Sequence, residues 1–163
     1  MNATRREALR VFDVNLRQDF YSVETIADSI SQANVLKVNQ EEVPRVRQLL
    51  HINAENGLSF CKEVMERFGL QLMCITRGAS GSLLCNGQEI HEHPGFRIQV
   101  RDTVGAGDAF TAALVCEYLR DASIEEMNDS ANRMGAWVAA SVGAMPPPPP
   151  EGLSKKLAEL HLK

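Results

Sequence analysis

The stretch Arg101-Asp-Thr-Val-Gly-Ala-Gly-Asp-Ala-Phe110 decides the fold, because it joins a strand-like segment to a helix through two glycines. The residues before it, 96–100, predict a strand, and residues 107–119 predict a helix. Gly105 and Gly107 let the backbone turn tightly and approach a ligand closely. The free N–H groups at the start of the helix, together with the helix dipole, then form a site for an anion.

Asp108 lies in the first turn of this predicted helix, beside the anion site. A carboxylate there suits removal of a proton from a hydroxyl group that attacks a phosphoryl group. It also suits a helix cap, in which the carboxylate only accepts hydrogen bonds from the backbone. The spacing alone leaves both interpretations open.

Two other phosphate-binding patterns can be compared with this loop. The Walker pattern G-x-x-x-x-G-K-[ST] does not occur in the sequence. The dinucleotide pattern G-x-G-x-x-G/A begins at Gly105 and Gly107 but has Phe110 at its third small position. A bulky ring there prevents close packing of the helix on its strand, so a Rossmann-type oxidoreductase is the weakest functional alternative.

Strand-like and helix-like segments alternate over most of the chain. Strands are predicted over residues 11–15, 35–38, 70–76 and 96–100, and helices over 22–32, 40–50, 56–68, 107–119, 124–141 and 153–162. Asn86-Gly87 is a favoured hairpin turn and separates two short strands, Ser82–Cys85 and Gln88–His91. The alternation predicts an α/β fold with a mainly parallel sheet and helices on its faces.

Composition excludes several broad classes of protein. The 163 residues carry a formal net charge of -4, whereas a general nucleic-acid binder would have a basic excess. The apolar stretches are far shorter than the roughly 18 residues that span a bilayer. The N-terminal residues are polar and do not resemble a secretory signal, which predicts a cytoplasmic protein without nucleic-acid or membrane partners.

The segment Asp102–Asp108 resembles the C-terminal signature of the ribokinase-like, or PfkB, carbohydrate kinases, Asp-Thr-x-Gly-Ala-Gly-Asp, and matches every specified position. In that family the last aspartate is the catalytic base, and the Gly-Ala-Gly backbone stabilises the transferring phosphoryl group. The resemblance therefore implies that Asp108 is the base and that Gly105, Ala106 and Gly107 form the anion hole.

Three further segments resemble the family's nucleotide-binding elements, in the same order along the chain. Thr76-Arg-Gly-Ala-Ser-Gly81 resembles a Thr-x-Gly-x-x-Gly turn that meets the nucleotide phosphates, and Ala131-Asn132 lies in the helix that flanks the adenine. Asp13-Val-Asn-Leu-Arg17 resembles Asp-x-Asn-x-Arg, with valine where proline is common, and its arginine can bind phosphate. The nucleotide-binding residues implied are Thr76, Gly78, Gly81, Asn132 and Arg17.

Two cation sites also follow from the resemblance. Asn39-Gln-Glu-Glu42 matches the family's Asn-x-x-Glu, which organises Mg²⁺ and phosphate largely through water. The same spacing is close to a capping box, and Asn39 and Glu42 can serve both purposes. Related enzymes bind a monovalent cation such as K⁺ near Asp102, the carbonyl of Val104 and the loop at Gly143-Ala144.

The resemblance covers nearly all of residues 1–163, but it matches only the C-terminal, nucleotide-binding and catalytic part of the family's domain. The expected fold is the ribokinase-like three-layer α/β/α sandwich without its N-terminal strands, its Gly-Gly sugar signature and its lid. A sheet without those strands would expose an apolar edge, which predicts pairing with a missing N-terminal half or self-association.

The resemblance implies an ATP- and Mg²⁺-dependent kinase that acts on a sugar or sugar-like molecule, with most likeness to the fructokinases. The alternative is a catalytically incomplete nucleotide-binding or interaction module derived from such a kinase. The five prolines Pro146–Pro150 could recruit a partner in that case, although a rigid connector to the last predicted helix is the favoured interpretation.

Overall fold

The computed structural model describes residues 5, 7–18 and 20–149 of the chain. Strands and helices alternate from the first strand to the third, and a hairpin and two helices follow. In chain order the elements are β1 (Val11–Asp13), α1 (Val23–Gln32), β2 (Val35–Asn39), α2 (Val43–Leu50), α3 (Gly57–Phe68), β3 (Leu72–Thr76), β4 (Ser82–Cys85), β5 (Ile90–His93), α4 (Ala106–Tyr118) and α5 (Ile124–Ala139). One turn of 3₁₀ helix, Gly78–Ser80, separates β3 from β4.

The strands form one sheet in the order β1-β2-β3-β4-β5. Strands β1 and β2 are parallel, with Val11 opposite Val35, and β2 and β3 are parallel, with Val35 opposite Leu72. Parallel neighbours need a crossover connection, and α1, α2 and α3 lie in the connections between these strands. Both β2 and β3 are buried at every residue but the last, as expected for parallel strands. The predicted α/β class is confirmed.

The residues divide into two compact units, of which the first comprises those up to Thr76 together with Leu83–Ile90. This unit contains an apolar core, formed where one face of each helix meets the buried strands. Residues of that core with no solvent exposure are Ile30, Leu36, Val38, Val46, Phe60, Cys61, Val64, Met73 and Leu83.

Helix α3 of this unit begins and ends where its capping residues dictate. Asn56 Oδ1 accepts the N–H of Ser59 at 2.9 Å, and Ser59 Oγ accepts the N–H of Asn56 at 3.0 Å, which completes a capping box. Gly69 follows the helix with φ +68°, a left-handed conformation typical of helix C-termini. The helix predicted over residues 56–68 is confirmed.

The second unit comprises Arg77–Ser82 and the residues from His91 onward, and its helices α4 and α5 pack against each other. Gly135 permits their close approach, because a Cβ at this position would lie 3.3 Å from the carbonyl oxygen of Ala106 and 3.5 Å from the Cβ of Phe110. The bulky Phe110, which argued against a dinucleotide-binding loop, is thus a buried side chain beside α5.

The strand expected over Phe96–Val100 is wrong, because the structure contains no strand there. Phe96 and Ile98 are half-buried while Arg97 and Gln99 are exposed, so the alternation that suggested a strand is present. A strand also needs a neighbour for its backbone groups, and none of the strands in the described ranges pairs with this segment. Alternating burial therefore does not by itself predict a strand, because it does not show that a neighbouring strand is present.

The turn of the hairpin between β4 and β5 lies one residue later than expected. The N–H of Asn86 donates to the carbonyl of Glu89 at 3.2 Å, so Gly87 and Gln88 are the central residues of the turn. Gly87 has φ +87°, which glycine tolerates without strain. The second strand consequently begins at Ile90 rather than at Gln88.

No helix in the part of the chain that the structure describes combines the length and the apolar character needed to cross a membrane. The helix expected over 153–162 and the last proline of the run, Pro150, lie outside the described residues. The indole N–H of Trp137 donates to the carbonyl of Pro147 at 3.2 Å, which attaches the proline run to α5.

Gly81 and Gly78 allow a test of the packing around the turn between β3 and β4. A Cβ on Gly81 would lie 1.9 Å from the carbonyl oxygen of His93, whereas a Cβ on Gly78 would meet nothing within 4 Å. Both residues have positive φ, +79° and +57°. We expect Gly81→Ala to lower the free energy of unfolding by about 3 kcal/mol or more, and the control Gly78→Ala by about 1 kcal/mol. Urea unfolding followed by circular dichroism measures both, and equal losses would contradict this packing.

Candidate active site

Gly105 shapes the turn that leads into α4. Its φ is +79°, in the left-handed region that glycine adopts at little cost. The position is also crowded, since a Cβ would lie 2.8 Å from the carbonyl oxygen of Ala144 and 2.9 Å from the Cβ of that residue. Both the backbone angle and the close approach of the loop at Ala144 therefore require glycine here, as the predicted tight turn implies.

The first turn of α4 presents backbone N–H groups that have no acceptor among the residues that the structure describes. The first α-helical hydrogen bond runs from the N–H of Ala109 to the carbonyl of Gly105 at 2.9 Å. The amides of Gly107 and Asp108, which lie between these residues, have no acceptor within the described ranges. Such amides combine with the positive end of the helix dipole to favour a bound anion.

Ala106, one of the three residues predicted to form the anion hole, has its N–H already engaged with the carbonyl of Thr103 at 3.2 Å. An anion at Ala106 would compete with that bond. The amide of Asp108 was not among the predicted donors, although the rule that the first four helical N–H groups lack partners could have indicated it. The geometry thus favours Gly107 and Asp108 as the amides that face a ligand.

The carboxylate of Asp108 is exposed on this first turn. Helix α4 has no side-chain capping bond at its N-terminus, and Asp108 makes no side-chain hydrogen bond to any residue that the structure describes. The capping alternative raised by the sequence is therefore not observed. The carboxylate is accessible to a substrate, and its role as the base stays a prediction.

Asp102 connects the turn before α4 to the loop that follows α5. Its Oδ1 accepts the N–H of Val104 at 3.0 Å, and its Oδ2 accepts the N–H of Gly143 at 3.1 Å. The structure thus brings together Asp102, Val104 and the loop at Gly143-Ala144, the residues implied for a monovalent cation. Cation binding there stays a prediction, and the carboxylate has a structural role that needs no cation.

The turn predicted to meet nucleotide phosphates has a closed backbone. The N–H of Arg77 donates to the carbonyl of Gly81 at 2.7 Å, around the 3₁₀ turn at Gly78–Ser80. Gly78 is exposed and Gly81 is buried against the backbone of residues 93–95. Thr76, the last residue of β3, is half-buried. Contact of these residues with a nucleotide stays a prediction.

Asn132 lies on α5 and is only 8% exposed. Its Nδ2 donates to Ser82 Oγ at 2.7 Å, to the carbonyl of Asn128 at 2.8 Å and to Asn128 Oδ1 at 2.9 Å. Ser82 directly follows Gly81, so these bonds attach α5 to the end of the glycine turn. The sequence analysis did not identify Ser82 and Asn128, although Asn128 and Asn132 share a helix face at a spacing of four residues.

Asn39 and Glu42 bond reciprocally across the turn that precedes α2. Glu42 Oε2 accepts the N–H of Asn39 at 2.9 Å, and Asn39 Oδ1 accepts the N–H of Glu42 at 2.9 Å. Glu42 Oε1 also accepts the N–H of Leu16 at 2.8 Å, which holds the segment after β1. These bonds close the turn before α2, whose own N-cap residue, Glu42, makes no side-chain capping bond, and the magnesium role of both residues stays a prediction.

Arg17, the last residue of the motif after β1, is exposed and forms no ion pair within the described ranges. The aspartate of the same motif, Asp13, accepts a hydrogen bond from Lys37 Nζ at 3.0 Å. The side chain of Arg17 is therefore available to an anion, but the structure does not test its predicted contact with phosphate.

Comparison with known proteins identifies the family. Residues 1–151 match the pfkB family of carbohydrate kinases. The chain is 27% identical to the fructokinase of Escherichia coli over 82% of this chain and 46% of that protein. The solved nucleoside kinase of Methanocaldococcus jannaschii, a ribokinase-family member, superposes with a TM-score of 0.78 at 23% identity over 93% of this chain and 48% of that one. The aminoimidazole riboside kinase of Salmonella enterica does so with a TM-score of 0.71 at 30% identity over 90% and 51%.

The chain belongs to the pfkB family of carbohydrate kinases. The structural similarity also confirms the expected α/β fold of the ribokinase type. The chain spans about half the length of the curated relatives and solved structures that it matches.

The substitution Glu42→Gln tests how much the carboxylate of Glu42 stabilises the fold, and Glu41→Gln is its matched control. An amide at Glu42 keeps only one acceptor oxygen for the two backbone N–H groups of Leu16 and Asn39. We expect a loss of about 1–2 kcal/mol in the free energy of unfolding for Glu42→Gln in the presence of EDTA. The neighbouring Glu41 is exposed, and its substitution should change stability by less than about 0.5 kcal/mol.

Chemical denaturation without divalent cations gives both values. A normal stability of Glu42→Gln under those conditions would contradict the structural role of the carboxylate.

Proposed function

We propose that this chain is the nucleotide-binding and catalytic part of an ATP-dependent sugar kinase. The observation that carries the proposal is the start of α4, where the exposed carboxylate of Asp108 lies beside two backbone amides that have no acceptor in the described part of the chain. A base next to an anion site is what transfer of a phosphoryl group to a hydroxyl requires. Membership of the pfkB family supports the same chemistry.

In the proposed reaction Asp108 accepts the proton of a substrate hydroxyl as its oxygen attacks the γ-phosphorus of ATP. The bond between the γ-phosphorus and the bridging oxygen breaks, and ADP leaves. Negative charge on the transferring group is stabilised by the amides of Gly107 and Asp108 and by the positive end of α4. A preorganised amide pair is effective because it does not have to reorient during the reaction.

ATP as the phosphoryl donor is supported by the relative from Salmonella enterica, whose structure contains an ATP analogue and aminoimidazole riboside. By the family resemblance, the turn with Thr76, Gly78 and Gly81 would contact the phosphates, and Arg17 and Asn132 would contribute to nucleotide binding. The acceptor would be a sugar or sugar-like molecule, since the relatives include a fructokinase and a riboside kinase.

Magnesium would be held by Asn39 and Glu42, whose oxygen donors suit this hard cation. Both oxygens of Glu42 already accept backbone N–H groups, so the contact would be made largely through water. Magnesium, when bound, supplies positive charge that neutralises the phosphates. The oxygens of Asp102 and the carbonyl of Val104 would likewise suit a monovalent cation such as K⁺.

Two kinds of protein partner are compatible with the sheet. Strand β1 is the first in the strand order and β5 the last, so each is an edge within the described ranges. An edge strand offers unpaired backbone groups to another chain. We therefore propose that either an N-terminal half of the kinase or a second copy of this chain pairs at an edge.

Asp108→Asn tests the proposed base, because an amide cannot accept the proton while the backbone amides remain in place. We expect phosphorylation of fructose by Mg-ATP to fall about 10²-fold or more in kcat, with little change in the affinity for Mg-ATP. Glu125→Gln is the matched control, since Glu125 is an exposed carboxylate in the first turn of α5. A coupled assay for ADP release and calorimetric titration with Mg-ATP measure the two quantities.

Full activity in Asp108→Asn would refute the base. Binding of Mg-ATP by the wild-type chain without phosphorylation of any sugar would instead support the catalytically incomplete module. An absence of Mg-ATP binding would overturn the nucleotide site itself.

A further inference from the structure

His93, the last residue of β5, carries its proton on a defined ring nitrogen. Its Nδ1 accepts the N–H of Gly95 at 3.0 Å, so this nitrogen is not protonated. In the neutral ring the proton is therefore on Nε2, which lies 3.4 Å from Oδ1 of Asp129 on α5. The bond from Gly95 thus depends on a neutral imidazole in this tautomer.

The surroundings of the imidazole favour its neutral form. The side chain of His93 is only 12% exposed, and this burial is the main cause that lowers its pKa below the ordinary value of 6.5. The carboxylate of Asp129 raises the pKa, but it also pairs with Arg133. Repulsion from Arg133 and His91 lowers the pKa further. The nearest aromatic ring, that of Phe96 at 5.0 Å, carries no charge.

The backbone that His93 holds is packed directly against the glycine turn between β3 and β4. A Cβ on Gly81 would lie 1.9 Å from the carbonyl oxygen of His93, and a Cβ on Gly95 would lie 2.6 Å from the carbonyl oxygen of Ala79. Gly95 has φ +80°, a conformation that glycine adopts without strain. Because the two segments touch so closely, a displacement of one requires a displacement of the other.

Protonation of His93 would break this arrangement. An imidazolium has an N–H at both nitrogens, so Nδ1 and the amide of Gly95 would be two donors facing each other. The amide would lose its acceptor and move away, and the turn packed against it would move as well. In the proposed function this turn contacts the nucleotide phosphates.

We infer that His93 is a positioning residue that holds the turn Gly78–Gly81 in its phosphate-binding conformation only while its imidazole is neutral. This role rests on the proposed function and makes nucleotide binding weaker as the pH falls. A positive charge that acted directly on phosphates would have the opposite effect, because it attracts anions. The direction of the pH dependence therefore distinguishes a positioning role from direct attraction.

Calorimetric titration with Mg-ATP at about pH 8 and about pH 5 tests this role. His93→Asn should bind like the wild-type chain at the higher pH, because an asparagine oxygen can accept the N–H two residues further on, and it does not titrate. His93→Leu has no acceptor and should bind about fivefold more weakly at the higher pH. The wild-type chain should match His93→Asn at the higher pH and His93→Leu at the lower one.

Comparison of variants at the same pH removes the titration of the nucleotide itself, which is common to all of them. The matched control is His51→Asn, since His51 is an exposed histidine of the first unit. It should keep the pH dependence of the wild-type chain.

¹H–¹⁵N NMR of the chain without nucleotide follows the same titration independently of binding. The amide signals of Gly95 and Gly81 should shift together as the pH falls below 6.5, the ordinary pKa of histidine. Both signals should stay in place in His93→Asn.

An equal pH dependence of binding in the wild-type chain and His93→Asn, or tighter wild-type binding than that of His93→Asn at the lower pH, would overturn the inference and leave the proposed function standing. Equal binding by His93→Asn and His93→Leu at the higher pH, or a Gly81 signal that does not follow that of Gly95, would do the same. Failure of the wild-type chain to bind Mg-ATP at either pH would overturn both.

Discussion

The close contact between Gly105 and the loop at Ala144 determines the geometry of the candidate site. A side chain on Gly105 would collide with the carbonyl of Ala144, and the φ of +79° at Gly105 sets the direction in which α4 starts. Asp102 strengthens the same contact by accepting N–H groups from both Val104 and Gly143. Within the described ranges the amides of Gly107 and Asp108 lack acceptors because the first N–H groups of a helix have no intrahelical partner.

Elements with local causes were predictable from the sequence. Asn56 and Gly69 cap the two ends of α3 through bonds to residues three and four positions away, and mostly apolar segments predicted the buried parallel strands β2 and β3. Phe96–Val100 shows the limit of such signals, since its alternation reports burial but a strand depends on a neighbour elsewhere in the chain. The hairpin turn lies one residue later than predicted for a related reason. The hydrogen bond from Asn86 to Glu89, rather than the Asn-Gly pair, defines the centre of the turn.

The residues of the candidate site likewise divide into those that the sequence predicted and those that it did not. Gly105 and Asp108 were recognisable because one continuous motif contains them, and the structure adds that Asp108 does not cap its helix. Ser82 escaped prediction, since its hydrogen bond to Asn132 joins residues 50 positions apart in the sequence. At Asn39 and Glu42 the sequence allowed two roles, and the hydrogen bonds show a structural role that closes the turn before α2 without a metal.

We propose that the start of α4 binds phosphate through the amides of Gly107 and Asp108. ¹H–¹⁵N NMR of the chain during titration with Mg-ATP tests it most directly. The amide signals of Gly107 and Asp108 should shift strongly, whereas that of Ala109 should shift much less because its N–H already donates to the carbonyl of Gly105. Unchanged signals of Gly107 and Asp108 at saturating nucleotide would contradict the claim.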